Sequence, residues 1–335
     1  MGLSYYYYQS NPIQMSITRI IFHGNCIDGL GSYFVYRLSL AAGTVVESYP
    51  VSPSNDSTWP ADPTSDIDVV LLDVCLPRPV MERWAAQAKS LLVLDHHETS
   101  ADCLASLGAC AHYASDHCST YQTFCHLYPD APVPDWVHMV ERIDLWKDVT
   151  LHDRSMRELL HPIANLPVQK KSDEAMVQFQ AFVNAYSTAS AAMLDLIAEG
   201  TRRLAKKHFE LDALLSTSRH TVAIVDQALI ERWGLDAAWL GRRVFVADTT
   251  RYNGFDTTEA AQRVFERVPG VQCFINYHLS SWLDKSTRKQ CHKYTYHARS
   301  IEGVDLTVGG FLEGHRCAAG TSRPYTGAPL PFLLV

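Results

Sequence analysis

The amino-acid sequence predicts an α/β protein of two domains joined by a helical connector. Its length of 335 residues exceeds what one average domain requires. Apolar strand-like segments alternate with helical patterns in the first half of the chain, which indicates βαβ units and a parallel sheet. A smaller set of strands and helices follows a long helical stretch. The predicted organisation is a loose tail at residues 1–16, a parallel-sheet domain at 17–170, a helical connector at 171–218 and a mixed α/β domain at 219–335.

The first domain is expected to be Rossmann-like. Three of its strands are nearly continuous apolar runs, the pattern of strands that are buried on both faces of a parallel sheet. No GxGxxG loop follows the first strand, which argues against a dinucleotide-dependent oxidoreductase. The predicted strands are 17–22, 45–49, 67–73 and 91–94, and the predicted helices are 30–42, 77–89, one beginning near 119, and 135–147.

The connector and the second domain follow from a change of pattern after residue 172. Residues 173–216 are rich in Ala, Leu, Glu and Lys and indicate one long helix or a helix pair. Shorter strands and helices then alternate without a long internal repeat. The predicted elements of the second domain are strands at 221–225, 243–247, 271–277, 293–300 and 304–308 and helices at 227–240 and 256–267.

Charge and cysteine content limit the function classes. Residues 1–150 carry 7 basic and 17 acidic side chains, whereas residues 151–335 carry 22 and 19. The acidic half suits a bound cation and the mildly basic half a phosphate-bearing ligand, while the net charge of −7 argues against a long nucleic-acid duplex. Nine cysteines without CxxC pairs fit the reduced thiols of a cytosol. With neither a signal-peptide pattern nor a membrane-length apolar run, we expect a cytoplasmic protein without a membrane partner.

Aspartate and histidine residues, which can bind metal ions, stand at the ends of three predicted strands. His23 and Asp28 follow the first strand, Asp73 ends the third, and Asp95-His96-His97 end the fourth. Ligands of open α/β sheets bind at the carboxyl ends of the strands. A single strand-end Asp is often only a helix N-cap, but three acidic strand ends with histidines predict a divalent-metal site.

Two other segments allow a structural and a functional interpretation. In the helix 135–147, Asp144 shares a face with apolar residues, so it either pairs with Arg142 or Lys147 or provides a further metal-binding element. Ser119 or Thr120 is interpreted as a plain helix N-cap rather than a catalytic residue. The glycine-containing segment 309–320 is either a tight turn or a loop whose backbone N–H groups cradle a phosphate.

Taken in order, these motifs resemble the DHH phosphoesterases, in the branch that carries a DHHA1-type C-terminal domain. The resemblance spans about residues 20–320, and its five elements lie in two domains. A lone Asp-His-His tripeptide is weak, whereas five ordered elements are specific. The matching segments are 70–74, Asp95-His96-His97, 142–146, Ala298-Arg299-Ser300 with 304–306, and the Gly-His-Arg-Cys-Ala-Ala-Gly run at 314–320.

The resemblance implies a two-metal phosphoesterase, usually dependent on Mn²⁺. It implies that His97 contacts the scissile phosphate and that Asp95 orients the histidines. Asp73 would bridge the two ions, and a second-domain set would grip a terminal phosphate or nucleotide. The implied metal ligands are His23, Asp28, Asp73, His96 and Asp144, and the implied substrate-binding residues are Arg299, Ser300, Gly314 and His315.

The sequence departs from the family pattern at two places. Cys26 stands near the position of the first acid in the family's H-x-x-x-D-x-D motif, and one residue fewer separates the histidine from the last acid. If Cys26 is a ligand, Zn²⁺, Co²⁺ or Fe²⁺ competes with Mn²⁺, because thiolates favour softer ions. In the second domain, Leu312 and Glu313 replace glycines, and the charge of Glu313 would repel a phosphate.

The sequence therefore predicts a metal-dependent hydrolase of short nucleotide substrates, such as oligoribonucleotides, dinucleotides or 3′-phosphoadenosine 5′-phosphate. Two alternatives stay open: an exopolyphosphatase, and a non-catalytic nucleotide or phosphate sensor on the same fold. The small substrate follows from the acidic total and from the lack of a further nucleic-acid-binding domain. A homodimer is compatible with the sequence.

Overall fold

The chain forms two compact units, each with its own sheet, whose boundary lies between Leu204 and Ala205, inside the segment 171–218. The structure is a computed structural model. It describes residues 17–52, 58–166, 173–188, 191–217, 220–233, 235–252, 255–283, 290–301, 303–310, 312–315 and 317–324.

The first unit is built on a five-stranded sheet in which every pair of neighbouring strands is parallel. Alternate side chains of the central strands enter different cores, since Ile20 packs on one side and Ile21 on the other. This two-sided burial explains the continuous apolar runs of the sequence. The strands are β1 (Ile17–His23), β2 (Val45–Val51), β3 (Ile67–Leu72), β4 (Ser90–Asp95) and β5 (Ala111–Tyr113).

Helices cover both faces of this sheet. On one side, helices share a large core around Phe34, Trp136 and Phe179, and on the other side helices pack around Trp84. The helices are α1 (Ile27–Ser39), α2 (Arg78–Gln87), α3 (Ala101–Leu107), α4 (Ser119–Leu127), α5 (Asp135–Leu145), α6 (Leu151–Ala164), α7 (Asp173–Tyr186) and α8 (Ala191–Thr217), the last of which crosses the boundary between the units.

In the strand order β2-β1-β3-β4-β5, the chain proceeds from β1 to one edge of the sheet and from β3 to the other edge, so the switch point lies between β1 and β3. At such a switch point, the connections leave the sheet towards opposite sides and open a crevice at the carboxyl ends of the strands. His23 ends β1, and Asp73 directly follows β3. The topology therefore brings these two predicted residues to the same crevice.

The α1 helix begins unusually close to the end of β1. Gly29 lies in its first turn, and a Cβ at this position would collide with the backbone oxygen of His23. Glycine is required here because no other residue lets the helix approach the strand so closely. The close approach fixes the position of Asp28, which precedes this glycine.

The second unit contains a mixed sheet of six strands. Its elements are β6 (His220–Ile224), α9 (Gln227–Trp233), β7 (Arg243–Asp248), α10 (Thr257–Arg267), β8 (Cys273–Leu283), β9 (Gln290–Ser300), β10 (Glu313–His315) and β11 (Ala318–Pro324). The strand order is β10-β11-β9-β8-β7-β6. Only the β7–β8 pair is parallel in the described part of this sheet. Its cores centre on Tyr296 and on Phe274.

The predicted fold class is confirmed, because a parallel-sheet α/β unit precedes a mixed α/β unit. The predicted strand 304–308 is wrong. Gly303 and Gly309 have φ angles of 81° and 80°, and the Asp305 carboxylate accepts hydrogen bonds from the backbone and hydroxyl of Thr307. These features form turns instead of an extended strand. The predicted helix 227–240 is shorter, since α9 ends at Trp233 and only a short 3-10 turn, Ala237–Trp239, follows. The predicted tail 1–16 lies outside the described residues.

Candidate metal centre

Six side chains with metal-binding donor atoms meet in the crevice of the first unit. They come from the ends of β1, β3 and β4, from the first turn of α1 and from the last turn of α5. They form two groups of three, and within each group one donor atom per residue lies within 4.8 Å of the others. The first group is His23, Asp73 and His97, and the second group is Asp28, His96 and Asp144.

The first group is arranged around the carboxylate of Asp73. Its Oδ2 lies 3.3 Å from Nδ1 of His23, and its Oδ1 lies 3.8 Å from Nδ1 of His97. The imidazoles of His23 and His97 are 29% and 28% exposed, whereas Asp73 is buried. The group is therefore open to solvent on its histidine side, as a site that admits a ligand must be.

The second group lies deeper. Nε2 of His96 is 3.7 Å from Oδ2 of Asp28 and 3.3 Å from Oδ2 of Asp144. Asp28 is completely buried, and His96 nearly so. Donor oxygens of Asp28 and Asp144 lie within 4.8 Å of each other, and carboxylates this close repel one another unless a cation or a shared proton separates them.

Asp73 also connects the two groups, because its Oδ1 lies 3.3 Å from Nε2 of His96. This buried oxygen accepts no hydrogen bond of good geometry from the described part of the chain. A buried carboxylate oxygen without such a donor is costly in the absence of a cation. The donor set, three carboxylates and three imidazoles, fits Mn²⁺ or a similar divalent ion.

The backbone of Asp73 supports this position. Its φ of 59° is in the left-handed region, which non-glycine residues seldom adopt and Asp tolerates better than most. Its N–H donates to the carbonyl of Leu94 at 2.9 Å and so holds the turn against the end of β4. Strained backbone of this kind persists where the surrounding structure fixes it, frequently at functional sites.

The pKa values reflect the crowding of charge. Burial, reinforced by Asp73, raises the pKa of Asp28 to about 6, and burial together with Asp28 raises that of Asp144 to about 8. Burial would raise the pKa of Asp73 as well, but the imidazoles of His23 and His96 outweigh it and hold this pKa well below its usual range. A bound divalent cation would displace the proton that Asp144 retains near neutral pH and would stabilise the charged form of Asp28.

The histidines show the complementary effect. Burial by itself lowers the pKa of His96, but the close contact with Asp73 and the carboxylates of Asp144 and Asp28 raise it to about 10. Burial opposes and Asp95 favours the charged form of His97, whose pKa rises to about 9. In the cation-free site, imidazolium charge therefore compensates the carboxylates.

Asp95 stands behind the histidines and is a member of neither group. Its Oδ1 accepts hydrogen bonds from the backbone N–H of His96 at 2.8 Å and from Nδ1 of His97 at 2.6 Å. Its Oδ2 accepts one from the hydroxyl of Ser100 at 2.7 Å. Asp95 thereby fixes the ring of His97 and the backbone of His96. Ser100, which sequence analysis did not identify, anchors it in turn.

Asp28 is held by the start of α4. Its two oxygens accept hydrogen bonds from the backbone N–H groups of Ser119 and Thr120, at 2.8 and 2.7 Å. The prediction that Ser119 or Thr120 caps α4 with its side chain is wrong. Cys118 occupies the N-cap position, but its side chain makes no capping hydrogen bond, and the distant Asp28 carboxylate satisfies the orphan N–H groups instead.

Asp144 lies in the last turn of α5, and an ion pair between Arg142 and Asp153 holds this end of the helix. Arg142 donates two hydrogen bonds to the buried carboxylate of Asp153, at 2.9 and 2.7 Å. Of the alternatives left open for Asp144, the structure does not show the pairing with Arg142, because Asp153 occupies the guanidinium and Asp144 faces His96. Asp153 also forms a capping box with Thr150 at the start of α6. Sequence analysis missed this residue, although the Thr-x-x-Asp spacing at the start of a helix is a recognisable signal.

Cys26 lies outside both groups in the described structure. It is the N-cap residue of α1, and its thiol does not make a capping hydrogen bond. Burial and the nearby carboxylates of Asp73 and Asp144 raise the pKa of Cys26 well above its ordinary value. Because Cys26 belongs to neither donor group, the geometry gives no support to a soft-metal site at this cysteine.

The predicted substrate-binding residues lie in the second unit. Arg299, on β9, donates from Nε to the hydroxyl of Thr258 at 3.0 Å, and Ser300 donates to the carbonyl of Val304 at 2.6 Å. Gly314 and His315 pair with Ala319 and Ala318 in a hairpin of β10 and β11, so this part of the glycine segment is extended rather than looped. The side chain of His315 lies outside the described residues.

Comparisons with known proteins do not assign the chain to a family. No protein-family model matches it, and no curated protein matches it either. Among the described helices, none has the length and apolar character that crossing a membrane requires.

Proposed function

We propose that this protein is a divalent-metal-dependent phosphoesterase that hydrolyses short nucleotide substrates. The observation that carries the proposal is the pair of three-residue donor groups, joined by the buried carboxylate of Asp73, at the switch point of a parallel sheet. The ordered sequence motifs that resemble the DHH phosphoesterases support the same reaction class. Two adjacent divalent sites are a recurrent arrangement in enzymes that hydrolyse phosphate esters.

The two donor groups would each hold one ion, with Asp73 placed to serve both. When bound, the ions lower the pKa of water to make a nucleophile near neutral pH and neutralise charge on the phosphate oxygens. Mn²⁺ is the ion that we propose, because mixed carboxylate and imidazole donors suit it and Cys26 is outside both groups.

The protein's own contribution is to keep the donors in place. Asp95 accepts a hydrogen bond from Nδ1 of His97, which makes this nitrogen a donor and leaves Nε2 for a phosphate oxygen or a cation. The N–H groups at the start of α4 hold Asp28, and the start of α1 is fixed against β1 by Gly29. These supports pre-organise the site before substrate arrives.

The proposal is tested on the full chain with a metal and substrate panel. Protein stripped of metal is assayed with Mn²⁺, Co²⁺, Zn²⁺ or Mg²⁺ on short oligoribonucleotides, 3′-phosphoadenosine 5′-phosphate, inorganic polyphosphate and bis-p-nitrophenyl phosphate. We expect hydrolysis of the nucleotide substrates, strongest with Mn²⁺, at a stoichiometry approaching two ions per chain. Absence of hydrolysis with every ion would refute the enzyme assignment, and turnover of polyphosphate alone would replace it with the exopolyphosphatase.

A nucleotide or phosphate sensor is the second candidate, and one observation favours it. Both oxygens of Asp28 already accept backbone hydrogen bonds, which reduces their capacity to bind a second ion. A site that holds one ion firmly and the other weakly would bind a nucleotide without hydrolysing it. Nucleotide binding with a stoichiometry of one ion and no turnover would establish the sensor.

A further inference from the structure

The first unit contains a cavity of about 310 Å³ between β4, β5 and α4. Its lining includes rings and one amide, contributed by His112, His117, Tyr121, Gln122 and His126. We propose that this cavity, called here the edge cavity, binds one nucleobase of the substrate by stacking and hydrogen bonding. The proposal rests on the proposed function, which it deepens by assigning the position of a base. The volume is at the lower end of the range for ligand pockets, which fits one heterocycle rather than a dinucleotide.

The main feature of the edge cavity is a stacked pair of rings. The imidazole of His117 stacks on the phenol ring of Tyr121, with centroids 4.1 Å apart and planes 5° from parallel. Nδ1 of His117 lies 3.0 Å from Oε2 of the mostly buried Glu141, and this contact holds the imidazole in its plane. His138 lies against Tyr121 at 5.7 Å. Flat rings fixed before binding form a stacking platform that accepts any base.

The polar groups of the edge cavity suit an uncharged heterocycle. Nε2 of Gln122 donates to the carbonyls of His117 and Ala114, at 2.9 and 3.1 Å. Its Oε1 has no hydrogen-bond partner among the described residues, so it can accept from the amino group of a base. His112 and His126 lie 5.0 Å apart, and burial together with His112 lowers the pKa of His126 and favours its neutral form.

Two other ligands fit less well. Within the described structure, no Lys or Arg lines the edge cavity, which argues against a phosphate. Its histidines also belong to neither of the donor groups that could hold a metal ion in that part of the chain. The remaining chemistry, stacked rings with neutral donors and acceptors, is that of base recognition.

The edge cavity is adjacent to the candidate metal centre. Leu94 lines the cavity and precedes His96 by two residues, a span of at most about 7 Å along the chain. Gln122 also reaches the carbonyl of Asp95, 3.4 Å from its Nε2. A nucleotide whose phosphate is at the metal centre can therefore place its own or a neighbouring base in the edge cavity.

The test compares a short oligoribonucleotide with the same oligonucleotide made abasic at each position in turn. In the wild type, we expect a strong preference for the base-bearing substrate at one position. Tyr121→Ala and His117→Ala should raise KM for that substrate by about 5- to 150-fold, as loss of one stacked base predicts, with little change for its abasic form. Tyr121→Phe keeps the ring and should stay within about twofold. Tyr113→Ala is the matched control, since this tyrosine is 38% exposed on β5 and does not line the cavity.

A binding measurement keeps the proposal separate from the proposed function. Adenosine is titrated into the metal-free full chain, and contacts between its ring protons and the protein are followed by NMR. Binding that is lost in Tyr121→Ala and kept in Tyr121→Phe and Tyr113→Ala supports the edge cavity, even if no hydrolysis is found. Equal adenosine binding, or equal KM, in Tyr121→Ala and Tyr113→Ala, with both variants folded by their thermal unfolding curves, would overturn it.

Discussion

Asp73 combines a strained backbone with a carboxylate that faces both donor groups. Its φ is 59°, and its oxygens lie 3.3 Å from His23 and from His96. Asp28 and Asp144 each belong to one group only. Asp73 is thus the residue whose loss should disturb both ions together.

We therefore expect Asp73→Ala to lower turnover of short oligoribonucleotides by about 1,000-fold or more, since two-metal stabilisation of a transition state contributes several kcal/mol. Metal analysis should show less than one ion retained per chain. Asp68→Asn is the control: Asp68 is on the same strand, pairs with the exposed Lys89, and should leave turnover and metal content unchanged. Near-wild-type turnover in Asp73→Ala would exclude the shared role of this carboxylate.

The residues of the site were accessible to sequence analysis to different degrees. Asp73 and Asp95-His96-His97 stand out because apolar strands precede them, and the sheet topology then brings such strand ends together. The support of Asp28 by Ser119 and Thr120 could not be predicted. Asp28 is separated from Ser119 by 91 positions and from Thr120 by 92 positions. The hydrogen bonds also come from backbone N–H groups, which almost any residue type can supply.

At the scale of the elements, the long apolar strands could be predicted from the sequence, whereas short or polar elements could not be predicted as well. The four strands predicted for the first unit are all present, and the fifth, β5, has only three residues, two of them exposed. Sequence analysis missed the α6 helix despite its Thr150–Asp153 capping box. Asp153 of this helix accepts a hydrogen bond from Arg142 of α5. Turn chemistry around Asp305 outweighed the apolar residues of 304–308 in the second unit.

The Arg142–Asp153 pair determines how α5 ends and therefore where Asp144 lies. We expect Asp153→Asn to lower the free energy of unfolding at pH 7 by about 2–4 kcal/mol, less than for a fully buried pair because the Arg142 side chain is 35% exposed. The variant should also reduce kcat, because Asp153 acts as a positioning residue for Asp144. Urea unfolding followed by tryptophan fluorescence, together with turnover assays, measures both effects.

The stabilisation that the Arg142–Asp153 pair provides should depend on pH. Burial raises the pKa of Asp153, but Arg142 and Thr150 outweigh it and the pKa is lowered below its ordinary value of 3.8. The pair therefore stabilises the protein above pH 3.8, and this stabilisation disappears as the pH falls further. The difference between wild type and Asp153→Asn should narrow in the same range. Asp130→Asn, in an exposed turn, is the control. If this variant lost as much stability as Asp153→Asn, the proposed role of the Arg142–Asp153 pair would be contradicted.

At the scale of the whole molecule, acidic charge and metal-binding donors are concentrated in the same half of the chain. Residues 1–150 hold 17 acidic and 7 basic side chains, and they include all six residues of the two donor groups. The second unit has its own sheet and its own cores and supplies none of these six. A cation bound at the candidate centre should therefore stabilise the first unit more directly than the second.

Hydrogen exchange with and without Mn²⁺ can locate this stabilisation. Free ligand at 100 times its dissociation constant stabilises a binding state by about 2.7 kcal/mol, which slows exchange through the corresponding opening about 100-fold. We expect this slowing at the ends of β1, β3 and β4 and in the last turn of α5, where the donors lie, and a much smaller change in β7 and β8. In Asp73→Ala the Mn²⁺ effect should disappear, because the same carboxylate serves both donor groups. Equal slowing in both sheets, or slowing that survives Asp73→Ala, would contradict binding of the ion at the two donor groups.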